Sequence, residues 1–246
     1  NTHYLGFNAN MLANEMFLDS SQLRSSVVSH AKTLGYTTRS ATAAKATVDV
    51  FLNTSLASAI MPAGTVFTSS VGDISYQFVT IQDVTAANSG SFILFNDVSI
   101  FEGSYVSSRY TADTQNVEQR FLINDDRSDT TTLTVKVQNS VTDSTTAAYT
   151  LATDIAALTS TSNVYFLQEV EDGKYEIYFG DGILGSAIED GNIIIMDYVV
   201  TNKGVANSAA IFASSAAIAT VNSVNVRTVS PATGGSEPES MESIKY

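Results

Sequence analysis

The sequence predicts a mainly β protein with an N-terminal helical hairpin, an α+β chain whose antiparallel β domain carries an inserted smaller β module. Three observations support this class. Apolar residues recur every three or four positions up to Gly35, the spacing of amphipathic helices. From Ala46 onward they alternate with polar residues, which is the period of strands. Residues 164–201 then combine a hairpin signal, closely spaced glycines and a long apolar run.

Changes in this pattern divide the 246 residues into four parts. Residues 1–44 are the helical hairpin. Residues 45–102 and 163–230 form the core antiparallel β domain, and the Ser-, Thr- and Asp-rich residues 103–162 form the inserted β module. Residues 231–246 are a linker and the start of a further helix, because they carry a proline and acids suited to a helix N-terminus.

The second predicted helix has recognisable ends and one unusual residue. Asp19, Ser20 or Ser21 can cap its start, and Gly35 can end it in the left-handed conformation. Arg24 is unusual because it lies within an apolar helix. It is either an exposed charge whose stem packs on its neighbours, or a guanidinium with fixed hydrogen bonds in a subunit contact.

The β part is predicted as a series of short strands. Alternating and short apolar runs place them at residues 47–52, 65–68, 74–81, 91–95, 98–101, 105–110, 119–123 and 131–137. Residues 147–158 fit a short helix with mixed apolar spacing. The valines of residues 209–228 favour a strand there.

A two-residue turn at Asp172 and Gly173 is predicted to join strands at residues 164–170 and 175–179. Both central positions of a type I′ turn need positive φ, which glycine adopts freely and aspartate tolerates. Closely spaced glycines then bend the chain before residues 192–201, whose β-branched apolar run predicts a strand covered on both faces. Such a segment builds a scaffold rather than a reaction centre.

Composition excludes several classes of function. The formal net charge is −13, so no nucleic acid is expected as a partner, because phosphate binding needs lysine and arginine. There is no cysteine, which excludes disulfides and thiolate metal sites. No apolar run approaches the roughly 18 residues of a membrane span, and no membrane partner is expected. Only 15% of residues are charged, which fits a protein with large permanent contacts.

Few residues offer catalytic chemistry. His3 and His30 lie in the predicted helices without a nucleophile motif, so a histidine-dependent hydrolase is not expected. The acids at residues 125–129 and 169–172 lie where turns are predicted, and aspartate in turns bonds its own backbone. Asn124 and the acids after it could hold a weak structural calcium, but the spacing lacks a calcium loop. We predict no catalytic residue, no metal site, no cofactor and therefore no enzyme.

Several motifs occur in the order found in one known family. They are Leu23 to Val28 with Ala31 and Leu34 to Tyr36, then Ile60 to Phe67, Tyr178 to Gly182, Gly191, Tyr198, Thr201, Gly204 and Asn207, and finally Gly234, Gly235, Pro238, Glu239 and Ile244. Together they resemble the baseplate J-like family, and within it the large baseplate wedge proteins of T-even-like contractile-tailed phages. The resemblance runs from the first helix to the last residue and is loose across residues 103–162.

The resemblance implies a structural subunit of a contractile phage tail baseplate wedge. Such a subunit assembles with a second copy of itself and with other wedge proteins around the tail hub, as a hetero-oligomer of the virion built in the host cytoplasm. Residues 1–44 would lie in an inter-subunit helical bundle. The implied interface residues are Leu5, Met11, Leu12, Met16, Leu23, Arg24, Val27 and Val28. The family-motif turn residues are Gly64, Gly180, Asp181, Gly182, Gly191, Gly204 and Asn207.

Family members extend beyond both ends of this sequence, which begins with asparagine, so we expect a piece of a longer protein. Two other functions remain open. A receptor- or glycan-binding β module of a viral or bacterial surface fibre would use tyrosines and asparagines in the loops of residues 103–162. A glycoside hydrolase would need two carboxyl groups about 5 to 10 Å apart across a cleft.

Overall fold

The computed structural model describes residues 11–116 and 118–246. Within them antiparallel sheet predominates, which confirms the predicted mainly β class. The predicted helical hairpin is described only in part. Residues 11–15 are helical and helix α1 spans Arg24–Thr33, whereas the start of the first predicted helix lies outside the described residues.

Helix α1 begins differently from the prediction and ends as predicted. Its N-cap is Leu23, whose side chain makes no capping bond, rather than a polar residue at 19–21. The carboxylate of Glu15 lies in front of the helix instead and accepts the Gln22 N–H at 2.9 Å. Gly35 has a φ of 78° and ends the helix in the left-handed conformation.

A short helix near the other end of the chain, α2, spans Met241–Lys245. Ser240 caps it, because its hydroxyl accepts the Ser243 N–H at 3.2 Å. The predicted start at residue 236 is too early. Ser236 still forms an antiparallel bridge with Thr42, so the chain there is extended.

The strands of the described residues are numbered in chain order. They are β1 (Lys45–Asn53), β2 (Ser58–Met61), β3 (Val66–Val71), β4 (Ile74–Val79), β5 (Val84–Ala87), β6 (Phe92–Glu102), β7 (Ser104–Thr111), β8 (Phe121–Ile123), β9 (Ser128–Gln138), β10 (Thr146–Leu151), β11 (Val164–Glu169), β12 (Tyr175–Phe179), β13 (Ile193–Val200), β14 (Ala213–Ser214) and β15 (Val224–Thr233).

The first sheet has the strand order β14-β3-β4-β6-β1-β15, and β2 pairs separately with β5. Its core contains Val48, Val50, Leu52, Phe67, Phe78, Ile93, Phe95 and Ile100. Residues 208–210 lie along the outer edge of β15. There the Ser208 N–H donates to the Ala232 carbonyl at 2.7 Å, and the Ala232 N–H donates to the Ala209 carbonyl at 2.8 Å. The outer edge of this sheet is therefore partly covered.

Strand β6 is continuous where two strands were predicted. A β-bulge interrupts its alternation: Asp97 has a φ of 51°, and its N–H donates to the Asp49 carboxylate at 2.9 Å. The register with β1 shifts at this point, so that Phe95 and Val98 both face the core. Because the bulge breaks the alternation of apolar and polar residues, the sequence of this one strand resembles that of two.

The second sheet has the order β7-β13-β9-β10-β11-β12-β8, and its β10–β11 pair is parallel. Its core contains Phe121, Ile123, Val135, Val137, Tyr165, Tyr175, Ile177, Ile194, Met196 and Tyr198. The two edge strands approach each other through Tyr110. Its hydroxyl donates to the Leu122 carbonyl at 2.7 Å, and its ring meets that of Phe121 edge-on at 5.8 Å. The sheet thus curls around its own core.

The two sheets do not follow the predicted division of the β part. Strands β11, β12 and β13 pair inside the second sheet rather than with residues 45–102. The reason is the position of β13, which lies between β7 and β9 along most of its length. Residues 194–199 of this strand are all buried, which confirms the predicted strand covered on both faces.

A strand also replaces the short helix predicted at residues 147–158. Strand β10 ends at Leu151, and a single 3₁₀ turn follows at Ile155–Ala157. Tyr149 packs edge-on against Phe179 at 5.2 Å, so packing across the sheet decides the local structure. Strand β15 likewise continues to Thr233, into the predicted linker.

The chain crosses from one sheet to the other twice, after β6 and after β13. Glu102 is buried and joins both passages: its carboxylate accepts the Thr201 hydroxyl at 2.7 Å and the Asn202 N–H at 2.9 Å. Asp129, also buried, accepts the Ala43 N–H at 2.8 Å. These carboxylates hold the two sheets against each other without a cationic partner among the described residues.

Candidate functional site

Five large apolar side chains lie exposed close together in sequence and are named here the N-terminal apolar face. They are Met11, Leu12, Met16, Phe17 and Leu23, between 47% and 70% exposed. Four are predicted interface residues. Phe17 was not predicted although it follows Met16 directly, and the predicted Leu5 lies outside the described residues. A concentration of apolar surface of this kind is typical of a protein contact.

Two other predicted interface residues are covered by the chain itself. Val27 and Val28 are buried in a small cluster with Ala31 and with Ile244 of α2, and Leu18 packs at its margin. Helix α1 therefore uses one side to pack on α2. The N-terminal apolar face remains as the surface on which another chain could pack.

Arg24 makes fixed hydrogen bonds, but with its own chain. Its Nε donates to Oε1 of Glu169 at 2.7 Å and its Nη2 donates to Oε2 at 3.0 Å, a bidentate pair. Its Nη1 donates to the Glu239 carbonyl at 2.5 Å. Glu169 is only 2% exposed. Arg24 is thus a hydrogen-bonded guanidinium, but the contact seen lies within the chain and is not the subunit contact of that interpretation.

Hydroxyl groups complete the surroundings of the two glutamates. Thr38 donates its hydroxyl to Glu169, and the Tyr175 hydroxyl donates to the Thr38 carbonyl at 3.1 Å. The Tyr36 hydroxyl lies 2.9 Å from both carboxylate oxygens of Glu239. Burial raises the pKa of Tyr175 to about 12, and the hydrogen bond to Glu239 raises the pKa of Tyr36.

Glu239 is held as a carboxylate. Burial alone would raise its pKa, but the hydrogen bonds it accepts outweigh burial and lower the pKa below its usual value. Besides the Tyr36 hydroxyl, these bonds come from the Arg39 N–H at 3.1 Å and the Ser243 hydroxyl at 2.9 Å. Glu239 therefore joins residues 36–39 to the start of α2.

Sequence reasoning missed Glu169 and Glu239 as partners of Arg24. They lie 145 and 215 residues from it in the chain. In the sequence, Glu169 is one acid of a predicted turn cluster, and Glu239 belongs to a family motif and to the acids at the start of the predicted last helix. The signal in the sequence was Arg24 itself, because an arginine in an apolar helix needs a hydrogen-bonding partner.

The glycine-rich turn after β12 has a defined shape. Asp181 accepts the Leu184 N–H at 3.0 Å, and this bond lowers the pKa of its carboxyl. Gly182 has a φ of 85°, in the left-handed region. Gly180 lies so close to Gly185 that a Cβ at position 180 would be 2.6 Å from the Gly185 carbonyl. The predicted turn residues 180–182 thus shape one loop.

The remaining predicted turn residues lie in separate contacts. The Asn207 side chain donates to the Gly235 carbonyl at 2.9 Å and accepts the Gly235 N–H at 3.0 Å. Gly204 lies against the same residue, since a Cβ at 204 would be 3.0 Å from the Gly235 carbonyl. Gly64 faces Tyr105, whose ring would lie 3.2 Å from an added Cβ. The structure therefore brings two motif residues to Gly235 and places Gly64 elsewhere.

The predicted hairpin turn is confirmed. Asp172 and Gly173 have φ of 60° and 70°, and the Lys174 N–H donates to the Glu171 carbonyl at 3.3 Å. This is the arrangement of a type I′ turn. Gly191, another of the predicted family-motif turn residues, also has positive φ, at 78°.

The acidic clusters and the described histidine are used in structural contacts. Asp125 pairs with Arg127 at 3.5 Å, and the His30 ring nitrogen Nε2 lies 2.9 Å from the Glu15 carbonyl. Within residues 11–116 and 118–246, no three His, Asp or Glu side chains are grouped so as to hold a metal ion. No helix in that part of the chain is long and apolar enough to cross a membrane.

Part of the chain matches a known family, and the whole chain is similar to a known protein. Residues 109–213, which run from β7 through the second sheet to β14, match the family described as bacteriophage baseplate wedge protein gp6, third domain. The whole chain is similar, at 26% identity, to the baseplate wedge protein gp6 of Enterobacteria phage T4, and it spans 40% of the length of that protein. The chain is therefore similar along its whole length to a phage baseplate wedge protein, which confirms the resemblance indicated by the ordered motifs and supports a structural role in a phage tail baseplate.

Proposed function

We propose that this chain acts in a structural subunit of a contractile phage tail baseplate wedge. In this role it assembles with a second copy of itself and with other wedge proteins around the tail hub. Its location is the tail baseplate of the virion, reached by assembly in the host cytoplasm. The observation that carries the proposal is the N-terminal apolar face.

Exposure of this face to water is unfavourable. Burying a side chain of the size of Leu, Met or Phe contributes about 1.5–3 kcal/mol, so five of them offer a strong gain to a complex. Leu23 precedes Arg24, whose bonds to Glu169 fix α1 on the second sheet. At least this end of the face is therefore held in a defined position, which lowers the entropic cost of docking.

The proposal is tested by changing the face without changing the sheets. Met16→Ser and Phe17→Ser replace exposed side chains, so the thermal stability of the chain should change little. We expect the complete protein with both changes to lose copurification with its baseplate neighbours, and light scattering should then report the masses of separate components. Ile211→Ser, at another exposed apolar residue beside β14, is the matched control and should leave the mass of the complex unchanged.

Two results would count against the proposal in different ways. An assembly of unchanged mass with both serines present would contradict the interface. A complete wild-type protein that stays monomeric in the presence of its baseplate neighbours would contradict the function.

A further inference from the structure

Arg24 is a locally unfavourable residue at its position in helix α1. It is the first residue of α1, where the helix dipole is positive and a cation is unfavourable. The first turn contains no acidic residue, and Leu23 provides no side-chain cap. A residue in conflict with its local environment is usually explained by a tertiary contact. For Arg24 this contact is the bidentate pair with Glu169.

The guanidinium connects three parts of the chain that are distant in sequence. Glu169 is the last residue of β11, in the second sheet. The third bond of Arg24 ends at the Glu239 carbonyl, in the segment before α2. Glu239 in turn exchanges backbone and side-chain bonds with Arg39: its N–H donates to the Arg39 carbonyl at 3.0 Å, and its carboxylate accepts the Arg39 N–H at 3.1 Å.

A second set of contacts joins the same segments without Arg24. Val27 and Val28 pack on Ile244, and Lys245 donates to the Ser21 carbonyl at 2.6 Å. This cluster is small and separate from the cores of the two sheets. Segments with few buried apolar contacts open at a lower free energy than the core around them. The helices should therefore open before either sheet does.

We propose that residues 18–39 and 236–246 form one cooperative unit, named here the terminal latch, which opens and closes as a whole and is locked by the bonds of Arg24 to Glu169 and Glu239. An event that moves α1 then also releases α2. The coupling is a property of the chain alone. It therefore stands or falls independently of the proposed assembly.

Hydrogen–deuterium exchange of the full chain tests the coupling. Arg24→Gln removes the lock, and exchange of the α1 amides and of the Glu239 and Ile244 amides should then rise by one common factor of about ten or more, because a buried carboxylate loses its partner. The amides of β13 should keep their wild-type rates. Arg227→Gln removes an ion pair to Asp49 on the first sheet and is the matched control, which should leave both latch segments unchanged.

A second variant changes the other segment of the terminal latch. Ile244→Ala removes the apolar contact and leaves the ion pair intact, so the α1 amides and the Glu239 amide should again accelerate together. Faster exchange confined to the substituted segment, in either variant, would overturn the proposal. Unchanged exchange rates in both segments would overturn it too. So would an equal rise in the exchange rates of the β13 amides, because the opening would then be global unfolding. If Arg24→Gln does not fold, Ile244→Ala alone decides.

Discussion

Replacing Gly180 and Gly182 one at a time separates two physical demands on the turn after β12. An ideal Cβ at position 180 would lie 2.6 Å from the carbonyl carbon and oxygen of Gly185, and closer still to the Leu184 oxygen. Real Cβ atoms stay at least 3.0 Å away from such atoms, so the backbone itself must move. We therefore expect Gly180→Ala to lower the free energy of unfolding by about 3 kcal/mol, the upper end of the usual cost of overpacking.

Position 182 has space but an unfavourable backbone conformation. The nearest neighbour of an added Cβ is that of Ala187 at 3.8 Å, whereas φ is 85°. The left-handed region costs an ordinary L-residue about 1–2 kcal/mol, and asparagine adopts it more readily. Gly182→Ala should therefore lower the free energy of unfolding by about 1–2 kcal/mol, and Gly182→Asn by less than about 1 kcal/mol.

Thermal unfolding followed by circular dichroism measures both effects. For a chain of this size 1 kcal/mol corresponds to about 2–4 °C in Tm, so Gly180→Ala should lower Tm by about 6–12 °C and Gly182→Asn by less than about 4 °C. Gly180→Asn is the matched control, because asparagine cannot relieve a steric overlap, and it should be as damaging as Gly180→Ala. A Tm for Gly180→Ala within about 2 °C of wild type would refute the reasoning.

Two further predictions concern a strained turn and alkaline pH. Ala219 and Thr220 have φ of 47° and 70°, a region that costs an ordinary L-residue about 1–2 kcal/mol and that asparagine adopts more readily. Ala219 packs against the core of the first sheet, whereas Thr220 is exposed. Thr220→Asn should therefore raise Tm by about 2–4 °C, and an unchanged Tm would contradict it. Burial raises the pKa of Tyr165 and Tyr175 from 10.0 to about 12. The unfolded chain therefore loses these protons at a lower pH than the folded protein, so the free energy of unfolding is unaffected below pH 10 and falls as pH rises towards 12. Phenolate absorbance and circular dichroism should then change together in that range; ionisation of every tyrosine near pH 10 in a folded protein would disprove this.

Sequence reasoning succeeded where a local conformation restricts the choice of residue. The turn at Asp172 and Gly173 was predicted because few residues accept positive φ at two successive positions. Gly35 was identified as a helix end for the same reason. Strand β13 was predicted because its apolar run is unbroken, as burial on both faces requires.

It failed where the outcome depends on pairing between distant parts of the chain. Strands β11 to β13 read as strands in the sequence, but only their hydrogen-bonded neighbours show that they belong with β7 to β10. The Ser- and Thr-rich composition of residues 103–162 extends through strands β7 and β9 as well as loops, so it does not mark a sheet boundary. The bulge at Asp97 was missed because its bond to Asp49 spans two strands.

The candidate site shows the same limit. Helical spacing identified Met11, Leu12, Met16 and Leu23 as apolar positions, and the described structure leaves them exposed. Spacing could not show that Val27 and Val28 are covered by Ile244, near the far end of the chain. An amphipathic pattern indicates that one face of a helix packs against another surface. It does not indicate whether that surface belongs to the same molecule.

Strand β15 limits the ways in which copies of this protein can meet. An edge strand of 10 residues can accept a strand from another molecule, which is the route to fibres and aggregates. Here residues 208–210 occupy part of the edge, Pro231 lacks an N–H, and Arg227 adds a charge. Polymerisation through a shared sheet is thereby disfavoured at this edge. At this edge, contacts between molecules are left to side chains, and such contacts can form and separate without any strand changing its partner.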